Sequence, residues 1–186
     1  MLGLAARLYG LTYHSLWLDE AISVFWARLP AWRIVDVGLK LTQDKHPPVY
    51  YLLLHQWARL FGDGEVSVRL LSAVIGAAGV VFGYLMLAQL AGRRAGLAGA
   101  ILIAFNPFLV WYGQEVRMFG LAVTLLLGAG WLLVTALRSG SPLRWAGFVL
   151  LGALSFYTYL FSALTLAAYA LAALIDSSAA REGEAT

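Results

Sequence analysis

The sequence contains no cysteine, which excludes disulfides, thiolate metal sites and a cysteine nucleophile. Charge is scarce as well. Asp, Glu, Lys and Arg make up 12% of the 186 residues, against about 25% in ordinary soluble domains. No basic run with interleaved aromatics occurs, so the net charge of +3 does not point to a nucleic acid. No Gly-rich loop of the kind that cradles nucleotide phosphates is present, and no repeat or low-complexity tract. The first thirteen residues are apolar but carry no signal-peptide cleavage pattern.

What fills the chain is hydrocarbon. Apolar residues reach 61% and the mean hydropathy is +0.77. Such a chain exposes too much apolar surface for water, and lipid is the solvent that suits it. Hydropathy predicts an all-α, polytopic transmembrane bundle forming one module over residues 1–176, followed by a polar tail at 177–186. The expected spans are 1–12 (about half a crossing), 66–90, 95–112, 118–137 and 143–175. The last is too long for one upright helix. A polar patch of Ser155, Tyr157, Thr158, Tyr159 and Ser162 favours two short helices broken near 157–161.

The arginines set the orientation. Arg93 and Arg94 occupy one short gap, Arg138 and Arg144 flank another, and neither gap holds an acid, so both face the cytoplasm by the positive-inside rule. The large first loop, 14–65, and the short turn at 113–117 then share the non-cytoplasmic face. The loop carries eleven of the chain's 23 formal charges. Inside it, Pro47 and Pro48 open an expected interfacial helix over 46–61, with Tyr50, Tyr51 and Trp57 at headgroup depth.

Four constellations offer chemistry. Asp19 and Glu20, adjacent at the membrane edge, supply a general base or else the acidic start of a helix over 21–28. Asp44, Lys45 and His46 precede Pro47-Pro48 and suit either a metal or lipid phosphate, or simply a charged turn. Glu115 and Arg117 lie in the turn after Asn106-Pro107, at the depth of Asp19, and form either part of a shared site or a mutual pair that pins the turn. Arg69 sits one turn inside a span, where a cation snorkels or meets a phosphate.

The order of these elements resembles the multi-spanning GT-C glycosyltransferases of the protein-mannosyltransferase group, including the aminoarabinose transferase that modifies lipid A. The acidic pair in SLWLDEAIS, the Pro-Pro-x-Tyr-Tyr element in HPPVYYLLLH, the span entry SVRLLSA and the turn NPFLVWYGQEVRMF match in sequence order, over about residues 8–173. The resemblance implies a GT-C-like fold and an inverting transfer of sugar from a polyprenyl-phosphate donor to a lipid, glycan or protein acceptor, outside a bacterial plasma membrane. It implies Asp19 as catalytic base, with Glu20 and Glu115 as its acidic neighbours. Lys45, Arg69 and Arg117 become candidates for the donor phosphate, and Asp44 and His46 for a divalent metal cofactor. Relatives carry a complete first span and further spans, so the resemblance reads this chain as the N-terminal portion of such an enzyme. A transporter or channel subunit and a non-catalytic scaffold are the alternatives; the spans hold few of the midplane charges that transport pathways need.

Overall fold

A computed structural model describes residues 1–41 and 46–184, the last eight by backbone alone. Among the described residues every regular element is helical: α1 (Leu2–Leu8), α2 (Leu18–Ala27), α3 (Ala31–Lys40), α4 (Val49–Phe61), α5 (Glu65–Phe105), α6 (Pro107–Tyr112), α7 (Phe119–Ser139), α8 (Pro142–Phe156) and α9 (Ser162–Glu184). Two of these, α5 and α7, are long and apolar enough to cross a membrane, with mean hydropathies of 2.2 and 2.0 over their best windows. Residues 42–45 and 185–186 lie outside the described part.

The long rod α5 is interrupted where the sequence separates its second and third spans. Ala91 and Gly92 leave helical geometry, Gly92 at φ 85°, a left-handed value that glycine adopts without a Cβ penalty. A second interruption is unforeseen. Asn106 and Pro107 end α5 inside the expected span 95–112, because proline has no N–H to donate and its ring excludes the preceding helical carbonyl. The Asn106 side chain restarts the chain as α6 by accepting from the amides of Phe108 and Leu109.

The remaining apolar stretch breaks where its polar patch lies. α8 and α9 are joined through 157–161, and the Ser155 hydroxyl donates to the Ala122 carbonyl and lies 2.9 Å from the Ser162 hydroxyl. The backbone of the expected polar tail continues as helix to Glu184. Small residues let these helices approach. A Cβ on Gly79 would sit 2.8 Å from the Thr124 hydroxyl, and one on Gly128 would sit 2.9 Å from Leu151.

The loop 14–65 is more ordered than one interfacial helix. It folds as α2, α3 and α4, which cap the ends of α5 and α7 over a shared core of Val24, Ile34, Leu54, Val68, Leu71, Val116, Met118 and Leu121. Tyr50 and Tyr51 belong to that core at 1% and 3% exposure, not to an outward aromatic belt. The reason is neighbours: α4 packs against α2, α3 and α5, which local periodicity does not show. Gly38 of α3 approaches the chain before α4 closely, and a Cβ on it would stand 2.8–3.0 Å from the ring and backbone of Pro48.

Candidate functional site

The cap is tied to the bundle by one buried ion pair. Glu20 is fully buried and Arg69 is 6% exposed. Arg69 Nε donates to Glu20 Oε1 at 3.0 Å and Nη2 to Oε2 at 2.7 Å, a two-pronged geometry that fixes both groups. Two backbone amides complete the carboxylate: Val116 N at 3.0 Å and Trp17 N at 3.3 Å. The remaining guanidinium donors reach the carbonyls of Leu11, His14 and Ser15 and the carboxylate of Glu65, at 2.6–3.3 Å. Glu20 therefore joins α2, α5 and the 113–118 turn, and Arg69 adds the chain after α1.

Helix α2 begins at Leu18, three residues before the expected start, which puts Asp19 and Glu20 in its first turn. Consecutive residues on a helix point in directions about 100° apart. Glu20 faces the interior, and Asp19 keeps 42% side-chain exposure. The Asp19 carboxylate lies 3.6 Å from Arg117 Nη2, and Arg117 Nη1 donates to the Asp19 carbonyl at 3.4 Å. The Arg117 guanidinium also stands 5.6 Å from the centre of the Phe119 ring.

Glu115 is the third acid. It is 8% exposed and accepts a hydrogen bond from the Trp111 indole. Burial pushes its carboxyl above the ordinary carboxylate range, and the negative charges of Glu20 and Asp19 push the same way. The Trp111 donor and the Arg117 charge oppose that rise without cancelling it.

Beside these acids lies a cavity of about 270 Å³ lined by Leu11, His14, Trp17, Glu20, Arg69, Trp111, Gln114 and Glu115. A second, more open hollow, bounded by Ala6, Tyr9, Phe105, Pro107 and Val110, shares Trp111 and Gln114 with it. The first combines carboxylates with two indoles. The second is lined mainly by apolar side chains, with Tyr9 and Gln114 among them.

Five of the eight residues read from the sequence thus gather in one place: Asp19, Glu20, Arg69, Glu115 and Arg117. Asp19 and Arg117 do not line the 270 Å³ cavity, and Glu20, Arg69 and Glu115 do. Asp44 and Lys45 lie outside the described residues. His46 stands next to the start of α4, and among the described residues no group of three His, Cys, Asp or Glu side chains has metal-holding spacing. Sequence reasoning missed the lining tryptophans, Trp17 and Trp111, and also missed Gln114. It missed Arg7 too, whose signal was a lone cation inside an apolar stretch.

Comparison with known proteins adds an independent line. A Bacillus subtilis (strain 168) protein described as "Putative mannosyltransferase YkcB" is 29% identical over 182 residues, which takes in 91% of this chain and 25% of that protein. The chain therefore spans about a quarter of the length of the curated relative it matches. No solved structure matches it. Residues 45–183 match the dolichyl-phosphate-mannose-protein mannosyltransferase family, and this chain, with its apolar helices and its ordered acidic motifs, belongs to that family.

Proposed function

We propose that this chain forms the acceptor-activating part of an inverting glycosyltransferase that takes a sugar from a polyprenyl-phosphate donor on the non-cytoplasmic face of the membrane. The observation that carries this reading is the junction at Glu20. Its carboxylate holds Arg69 on one side and the Val116 amide on the other, and so keeps Asp19 and Glu115 together although 96 residues separate them. The adjoining apolar hollow supports a donor with a hydrocarbon tail.

In this reading Asp19 is the base. Its carboxylate keeps access to an acceptor, unlike that of Glu20. Asp19 removes the acceptor's proton as the oxygen attacks the anomeric carbon, and polyprenyl phosphate leaves. Arg117 and Lys45 are the cations assigned to the departing phosphate. Arg69 is a poor choice for that task, because protein acceptors already surround its guanidinium. Glu115 and Trp111 line the adjoining cavity. Asp44 and His46 are the residues that would hold a divalent metal ion.

Lipid-linked transfer is tested with purified full-length protein in lipid vesicles, supplied with either a polyprenyl-phosphate-linked mannose or a nucleotide-linked mannose. Release of polyprenyl phosphate with the first donor and no turnover with the second is the expected result. Turnover of the nucleotide donor alone would reject the reading.

A further inference from the structure

Arg7 is the most buried cation among the described residues, at 1% exposure, and no carboxylate among them pairs with it. A guanidinium in an apolar stretch is retained only where polar groups replace water. Here the replacements are carbonyls. Nη1 donates to Gly3 O at 2.8 Å and Ala104 O at 3.3 Å, and Nη2 donates to Ile103 O and Leu109 O, each at 3.3 Å. Ile103 is four residues before Pro107, so its carbonyl is the one that proline leaves without a helical donor. One side chain thus bridges α1, the end of α5 and the start of α6 across the break.

Room for this bridge is built in. A Cβ on Gly76 would lie 2.5 Å from Arg7 Nε, and one on Gly113 would lie 2.6 Å from it. The Arg7 carbonyl adds a second tie, accepting from Gln114 Nε2 at 3.2 Å, while the Tyr9 carbonyl accepts from the same nitrogen at 2.7 Å. The segment held in this way carries Trp111, whose indole holds Glu115, and leads into Val116, whose amide holds Glu20.

We infer that Arg7 is a positioning residue: it clamps the Asn106–Pro107 break so that Trp111 and Glu115 keep their places in the cavity. The inference rests on the proposed transferase reading for its kinetic consequence, but its structural half stands without it. Released from the clamp, α6 swings about the break, Glu115 gains water, and its titration moves back toward the ordinary carboxylate range. Lysine cannot substitute, because one ammonium cannot reach carbonyls on three segments at once.

The test uses full-length protein in lipid vesicles with Arg7→Gln, Arg7→Lys and Gly113→Ala, the last pressing on the guanidinium without removing it. Hydrogen exchange of the 108–117 amides is expected to quicken at least tenfold in all three, while the interior of α7 stays protected. In transfer assays kcat should fall at least tenfold with little change in KM, and the infrared carboxyl signal that Glu115→Gln removes should titrate at lower pH. Exchange in 108–117 at the wild-type rate in a folded variant would overturn the clamp, whether or not the protein transfers sugar. Quickened exchange with an unmoved Glu115 titration would overturn the link to Glu115. Should both arginine variants fail to fold, Gly113→Ala decides by the same two readouts. Absence of transfer by the wild type would instead count against the functional reading alone.

Discussion

Removing one partner of the Glu20–Arg69 pair should cost more than any surface change in this chain, and the two directions should differ. Breaking a buried pair from one side costs about 3–5 kcal/mol, because it leaves an unpaired charge behind. Glu20→Gln leaves Arg69 with Glu65, whose carboxylate is 2.6 Å from Nη1, and with three carbonyls. Its cost therefore falls near the lower figure, about 3 kcal/mol. Arg69→Met leaves a fully buried carboxylate with only two backbone amides, so its cost falls near about 5 kcal/mol. For a chain of this length, each kcal/mol moves the unfolding midpoint by about 2–4 °C. The losses then correspond to about 6–12 °C and 10–20 °C. The double variant removes both charges together, and its loss should be smaller than the sum by at least about 2 kcal/mol. Thermal unfolding of the four proteins in one detergent completes the cycle. Additive losses, within about 0.5 kcal/mol, would refute the claim that these groups hold each other.

Three further outcomes follow from the same structure. Glu115 has its carboxyl raised in the folded state, so the stability linked to it is fully present below the ordinary carboxylate value and is lost as pH rises through the elevated one. Glu115→Gln should therefore flatten the pH dependence of the unfolding midpoint across that window, and an unaltered profile would contradict the burial argument. Gly38→Ala forces a methyl against the rigid Pro48 ring and backbone, and overpacking of this kind costs about 1–3 kcal/mol; an unfolding midpoint within about 1 °C of wild type would show that α3 can give way freely. Cysteines at Lys40 and Arg94, both exposed positions, should differ in labelling by an impermeant reagent applied from outside, with only position 40 reacting. Reaction at position 94 alone would reverse the proposed orientation.

The readable part of this fold was whatever has a local cause. The break at Gly92, the start of α4 after Pro47-Pro48 and the interruption at 157–161 each follow from residues that punctuate a helix on the spot. The meeting of the acids was readable because turn length and charge asymmetry place loops on membrane faces. What depends on distant neighbours was not. The sequence reading gave Glu20 a supporting role and sent Arg69 to a phosphate, because nothing local joins positions 49 residues apart. Tyr50 and Tyr51 looked interfacial for the same reason, and the structure packs them with residues of α2, α3 and α5. Arg7 drew no reading, although a cation in one apolar stretch can serve the carbonyl that a proline in another leaves without a donor.

The central claim is a division of labour between adjacent carboxylates, Glu20 holding the site together and Asp19 removing the proton. The most direct measurement is sugar transfer per folded molecule for Asp19→Asn, with the unfolding midpoint taken on the same sample. Loss of a general base costs about 10²–10⁴-fold in rate. The account predicts a fall of that size with a midpoint within about 3 °C of wild type, because Asp19 is half-exposed and its contact with Arg117 is long. Wild-type transfer by folded Asp19→Asn would contradict it.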